Sequence, residues 1–262
     1  MTILEKIIEY KKTEVESGKK QVSVHNLESS CYFSRLTISL SDQIIKPGKS
    51  GIIAEFKRKS PSKSAINLNA SVIDVTMGYS EAGASGLSIL TDTEFFGGQN
   101  DDLTAARNHN PLPILRKDFI IDEYQIIEAK SLGADAILLI AAVLNPEHLK
   151  RLAKFACSLN LEVLMEAHNE EDLRKINEYI HLIGVNNRNL NDFSVSLDTS
   201  INLSDKIPAG FIKISESGIQ TTDDILYLKN AGFIGFLIGD NFMREADPGE
   251  ACGKFILEMQ KR

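Results

Sequence analysis

Excess positive charge is the first thing missing from this chain. Its 262 residues carry 29 Lys and Arg against 36 Asp and Glu, a net charge of -7. A general nucleic-acid or anionic-membrane surface is therefore not expected, and any anion has to be held by a local cluster. Cysteine is scarce: Cys31, Cys157 and Cys252 are odd in number and far apart. That fits neither a disulfide framework nor a metal site and favours reduced thiols in the cytoplasm. His25, His109, His148, His168 and His181 fall into no ligand spacing; they read as surface or supporting residues, and no metal is expected. No apolar run approaches the roughly 18 residues of a membrane helix. The opening MTILEKIIEYKKTEVE is too rich in Glu for a transit peptide and lacks the apolar core of a signal peptide.

Apolar residues make up 43% of the chain, ample for a single sizeable core. From residue 51 onward, short β-rich apolar runs alternate with amphipathic stretches. The runs are GIIAEFK (51–57), GLSILTD (86–92), PILRKDF (113–119), DAILLIA (135–141), EVLMEA (162–167), LIGVNNR (182–188), IKISES (212–217) and FLIG (236–239). Several are apolar on both faces, as buried parallel strands are. DEYQIIEAKSLG and PEHLKRLAKFACSLN read as helices between them, each with a helix-start residue. Eight βα units without a composition break predict an α/β fold, a (β/α)8 TIM barrel forming a single domain over 1–262. Residues 1–50 are its N-terminal helical extension, in which Ile3, Leu4, Ile7 and Ile8 recur at helical spacing and predict a helix laying one face on the barrel.

Side chains alternate faces along a strand. Ile53, Glu55 and Lys57 therefore share a face, as do Leu115 and Lys117, Leu164 and Glu166, Gly184 with Asn186 and Arg188, and Ile214 and Glu216. In each case an apolar or small residue gives way to a charged or amide one at the carboxyl end, where barrel enzymes place their chemistry. Two further stretches, ESGI (216–219) and LIGDNFM (237–243), put Gly directly after a strand, and the second opens a short helix. Backbone without side-chain bulk there predicts a phosphate site. In EFKRKSPSKS (55–64), Glu55 and Lys57 belong inside the mouth and Ser60 is placed to help hold an anion, while Arg58, Lys59 and Lys63 are expected to face solvent.

The stretches IIAEFKRKSPS, ILRKDFI, LMEAH, IGVNNRNL, SESGI and LIGDNFMR, in this order, resemble indole-3-glycerol phosphate synthase, a family of tryptophan-biosynthesis enzymes. ILEKIIEYKKTEV near the start and LTDTEFFGG (90–98) share the resemblance, which runs over nearly the whole chain. It implies a barrel that converts 1-(2-carboxyphenylamino)-1-deoxyribulose 5-phosphate to indole-3-glycerol phosphate, carbon dioxide and water, with no cofactor or metal. By position it implies Lys117 as general acid, Glu166 as acid/base carboxylate and Lys57 as the second lysine. Glu55, Asn186, Arg188, Glu216 and Ser217 match the remaining active-site positions, Ser60, Gly218, Gly239 and Asp240 surround the phosphate, and Pro61, Phe96, Phe119, Leu138 and Leu190 form an anthranilate pocket.

The chemistry asks for such groups. Ring closure needs a proton at the ribulose carbonyl, which suits an ammonium whose pKa is lowered by burial and by a second cation, here Lys57 near Lys117. Dehydration needs an acid and a base on opposite sides, roles that Glu166 and one lysine divide; which lysine serves which step stays open. An apolar slot for the carboxylate favours decarboxylation. Asn187 departs from the small residue the family usually has, Gln99 from its usual Ser, and the Asp240 carboxylate is expected to turn away from the phosphate.

Two other readings compete. Phosphoribosylanthranilate isomerase would need a Cys at the end of the first strand, where Glu55-Phe56-Lys57 stands, and would not need the extension. A non-catalytic phosphate-ligand-binding barrel would lose the acid/base groups that this chain keeps. The expected partner is a small-molecule phosphorylated substrate, with no nucleic acid and no membrane, bound by a cytoplasmic monomer.

Overall fold

Each of the eight apolar runs forms a strand, and all eight lie parallel. They are β1 (Ile52–Phe56), β2 (Gly86–Leu90), β3 (Ile114–Lys117), β4 (Ala136–Ile140), β5 (Glu162–Ala167), β6 (Leu182–Asn186), β7 (Ile212–Glu216) and β8 (Gly235–Ile238). They pair in sequence order and close on themselves where Ile53 of β1 lies beside Leu237 of β8. The computed structural model describes residues 2–61, 65–190 and 192–261; Lys63, expected to face solvent, lies outside them.

The helices are α1 (Ile3–Gln21), α2 (Val24–Glu28), α3 (Leu40–Ile45), α4 (Val72–Glu81), α5 (Asn100–His109), α6 (Glu123–Leu132), α7 (Pro146–Ser158), α8 (Glu170–Leu173), α9 (Asp198–Ser204), α10 (Thr222–Asn230), α11 (Asp240–Met243) and α12 (Pro248–Gln260). Local chemistry sets their ends. Asp122 and Gln125 form a capping box at the start of α6, and α6 stops at Gly133 with a φ of 94°. Asn145 caps α7, with Pro146 in its first turn.

Several strands are shorter than their apolar runs. Lys57, the Thr91-Asp92 pair and the Asn187-Arg188 pair lie just past the strand ends, where the loops at the carboxyl ends begin, although Thr91 and Asn187 still donate backbone N–H groups to the Lys117 and Glu216 carbonyls. Strand parity fills the barrel interior with Ile53, Leu115, Leu138, Leu164, Leu182, Ile214 and Leu237. The opposite faces, among them Ile52, Ile89, Ile137, Val163 and Phe236, pack against the ring of helices. That two-faced burial is why these runs read as continuously apolar.

The extension works at both ends of the barrel. Leu40 and Ile44 of α3 join the interior cluster and plug the end where the strands begin. Glu162, the first residue of β5, holds α3 there by accepting from Ser39 Oγ at 2.6 Å and from the Ser41 backbone N–H at 2.9 Å. At the other end α1 leans over the mouth. Its Lys11 is 1% exposed, with Nζ 2.9 Å from both Asp92 and Asp118. Tyr124 Oη of α6 donates to the carbonyls of Gly18 and Val22, at 3.0 Å each.

Candidate active site

Strand register gathers the polar ends into one layer. Glu55 sits beside Ser88, Leu90 beside Lys117, Ile140 beside Glu166, and Asn186 beside Glu216. Every residue singled out in the sequence as a candidate for chemistry or binding lines a single cavity at this carboxyl-end mouth. Lys57, Lys117 and Glu166, on three different strands or their extensions, share that cavity.

Lys117 is held between two acids, with Nζ 3.1 Å from Glu166 Oε2 and 3.4 Å from Glu216 Oε2. Burial alone would lower its pKa. The carboxylates of Glu166, Glu216 and Glu55 outweigh that effect, and the pKa lies above the ordinary lysine value. The expected lowering by a neighbouring cation is therefore corrected for the free protein: acids, not Lys57, dominate around Lys117. Lys117 is thus in direct contact with Glu166, whereas Lys57 is held apart from it by Glu55 and Asp240.

Glu216 bears the cost of this crowding. It is 1% exposed, and neither oxygen has a well-aligned hydrogen-bond partner among the described residues. Burial and the charges of Glu166 and Glu55 push its pKa up to about 8 despite Lys117. Glu166 goes the other way. Burial raises it, but Lys117, His168 and a hydrogen bond from Asn186 bring it below the usual carboxylate value. Two carboxyl groups on one lysine are thus split into a neutral acid and an anion, the arrangement acid/base chemistry uses.

Lys57 forms a second cluster, 3.0 Å from Glu55 Oε1 and 2.5 Å from Asp240 Oδ1. Burial disfavours its charge, yet Glu55 and Asp240 raise its pKa. The Asp240 carboxylate therefore turns inward, contrary to expectation, with its other oxygen 3.8 Å from an Arg188 nitrogen. Lys57 and Arg188, gathered here, attract it. Arg58 and Lys59 also differ from expectation. Arg58 makes a two-pronged pair with Asp102 and lies 4.8 Å from the Phe56 ring centre, while Lys59 donates to the Glu94 carbonyl at 2.7 Å. Both are half-buried, Arg58 by its pairing with α5 and Lys59 by packing against residues 94–97.

Close packing explains two glycines. A Cβ at Gly184 would stand 2.0 Å from Glu216 Oε1, and one at Gly239 would stand 2.6 Å from Glu55 Oε1. Gly239 therefore makes room for the Glu55 carboxylate, a use its position after a strand did not reveal. The neighbouring Ser217 has a φ of 67°. Asn187, one of the departures, is buried and donates to the Ser217 carbonyl at 3.0 Å and to Ser215 Oγ at 2.9 Å. It braces the loop containing Ser217. Gln99 stands at the N-cap of α5 and makes no side-chain cap bond.

The remaining wall is apolar. Phe96 and Phe119 approach at 5.9 Å between ring centres, and Leu138 and Leu190 continue the surface. Pro61 lines the cavity from an exposed position. Sequence reasoning missed Ile3, Leu4 and Ile7 of α1, which line the same cavity; their helical spacing signalled a packed face but not what it faced. It also gave His168 only a supporting place. His168 Nε2 lies 3.4 Å from Glu166 Oε1. The spacing that carried this signal is Glu166-x-His168 at a strand end. Among the described residues, no group of three or more His, Cys, Asp and Glu could hold a metal.

The family model for indole-3-glycerol phosphate synthase matches residues 4–255. An indole-3-glycerol phosphate synthase of Bacteroides thetaiotaomicron is 45% identical over 98% of this chain and 99% of its own length. One from Albidiferax ferrireducens is 43% identical over 97% and 98%. A mutant tryptophan synthase α-subunit from Pyrococcus furiosus shares the barrel alone, with a TM-score of 0.61 and 15% identity over 82% of this chain and 99% of that one. On the length and identity of these matches, the chain belongs to the indole-3-glycerol phosphate synthase family.

Proposed function

We propose that this chain is a carboxy-lyase that closes an indole ring, converting 1-(2-carboxyphenylamino)-1-deoxyribulose 5-phosphate to indole-3-glycerol phosphate, carbon dioxide and water. The observation that carries the proposal is the Lys117 ammonium, held between Glu166 and Glu216 against a wall of Phe96, Phe119, Leu138 and Leu190.

An anthranilate ring fits the aromatic wall, and the ribulose chain extends toward Lys57, Arg188 and the Ser217-Gly218 turn. As the ring carbon attacks the carbonyl, Lys117 gives a proton to the developing alkoxide. The substrate carboxylate, seated against apolar side chains, loses the hydration that stabilises it and leaves as carbon dioxide. Dehydration then requires a proton for the departing hydroxyl and a base for the ring C–H. Glu166, held ionised in the free protein, suits the base; Lys57 or Glu216 can supply the proton.

The phosphate tail belongs near Ser60, Gly218, Gly239 and Asp240. Its dianion competes with the Asp240 carboxylate for Lys57 and Arg188, so substrate binding would free Asp240 from those cations. Cys31, Cys157 and Cys252 are free thiols, consistent with work in a reducing cytoplasm. The test is to supply the synthetic carboxyphenylamino ribulose phosphate without added metal and follow indole-product fluorescence. Multiple turnovers support the reading, and no product above the uncatalysed rate rejects it.

A further inference from the structure

Once Lys117 has given its proton to the substrate, Glu166 loses the cation beside its Oε2. A buried carboxylate left without a positive neighbour takes up a proton and stops being a base. The carboxylate therefore needs a second source of positive charge for as long as the lysine is neutral.

His168 supplies one. It follows Glu166 by two residues, just past the last residue of β5, Ala167. Its Nε2 is 3.4 Å from Glu166 Oε1, the oxygen that Lys117 leaves unused, and its Nδ1 is 3.7 Å from Asp172 Oδ2. Asp172 Oδ2 also accepts the His168 backbone N–H at 3.0 Å, which fixes the strand end on α8. Lys175 stands 3.6 Å from the other Asp172 oxygen and donates to the Ala141 carbonyl at 2.6 Å. The groups facing the ring are thus Glu166 from β5, Asp172 from α8 and, at longer range, Glu216 from β7, with Lys175 behind Asp172. Burial lowers the affinity of the ring for a proton, but these acids raise it further, and the net direction is up. The ring also lines a second cavity, with Asn169, Asn186 and Asn187, which adjoins the first and shares Asn186, Arg188 and Leu190 with it.

We propose that His168 is a positioning residue for Glu166: as an imidazolium lying at ion-pair distance from both Glu166 and Asp172, without a hydrogen bond to either, it keeps the Glu166 carboxylate ionised and its Oε2 aimed at Lys117 while that lysine is discharged. The inference rests on the synthase reading above.

The test follows product fluorescence from pH 5 to 9 for the wild-type chain, His168→Gln, Asp172→Asn, and His168→Ala with and without imidazole. His168→Gln should lower kcat about tenfold at pH 7 with KM within about threefold, and move the acidic limb of kcat up by roughly one pH unit, because Glu166 has lost a cation. Asp172→Asn should shift the limb the same way by less. Imidazole should restore part of the His168→Ala activity, since the vacated space opens on the second cavity. A folded His168→Gln with the wild-type kcat and acidic limb overturns the proposal. So does a uniform loss at every pH with no shift and no rescue, which is what a merely packed ring would give. If His168→Gln does not fold, the Asp172→Asn limb decides. A wild-type chain that makes no product removes the synthase reading and this inference with it; normal wild-type turnover with an unmoved limb removes the inference alone.

Discussion

Lys11 and Asp118 meet 2.9 Å apart, both almost wholly out of solvent, one on the N-terminal helix and the other directly after Lys117 in the chain. The same ammonium reaches Asp92 and Glu14, and Asp118 is also paired with Arg116 at 3.3 Å. The extension is thus wired to the strand that carries Lys117, the proton donor of the proposed reaction. Burial opposes the charge on Lys11, and the three acids raise its pKa despite that.

Removing that cation leaves two buried acids under-compensated. Lys11→Met should cost about 3–5 kcal/mol of stability, the usual penalty for deleting one partner of a buried pair. Because α1 also forms part of the cavity wall, turnover should fall as well. Denaturant unfolding followed by circular dichroism measures the first effect; a change below about 1 kcal/mol would show that the network contributes little.

Glu216 makes stability depend on pH. Its pKa is raised from 4.5 in the unfolded reference to about 8 in the fold. Below pH 4.5 both states hold the proton; between there and about 8 only the folded state does, so the stabilisation drains away as pH rises through that window. Glu216→Gln cannot titrate. The melting temperature of this variant should therefore gain on the wild type steadily from pH 5 to 8 and level off above. A gap that stays constant with pH would mean that Glu216 titrates normally.

Gly239→Val tests the packing found beside Glu55. A side chain there collides with the Glu55 carboxylate, at 2.6 Å from its first atom, and Glu55 in turn holds Lys57. The variant should lose kcat by about tenfold or more as well as raise KM, with Gly239→Ala intermediate. A raised KM with normal kcat would instead assign Gly239 to anion approach alone.

The barrel was readable because its cause is local. Runs such as DAILLIA, buried on both faces, and the switch from Leu115 to Lys117 or Ile214 to Glu216 along one strand face follow from period-two geometry. What resisted reading depends on side chains brought together from distant positions. Nothing near Lys117 in sequence shows that Glu166 and Glu216 will surround it and raise its pKa rather than lower it. The inward turn of Asp240 depends on Lys57 and Arg188, and the burial of Arg58 on Asp102 of α5. Ile3, Leu4 and Ile7 announced an apolar face without announcing that it would close the cavity.

In the reaction proposed above, the Lys117 ammonium drives ring closure. A single comparison tests it: product formation and substrate dissociation constant for Lys117→Met beside the wild type, with the synthetic substrate and no metal. Turnover should fall by about 10²- to 10⁴-fold, the range that a positioned proton donor supplies, while the dissociation constant changes by less than about tenfold. A folded Lys117→Met that turns over at a rate close to the wild type would contradict the claim.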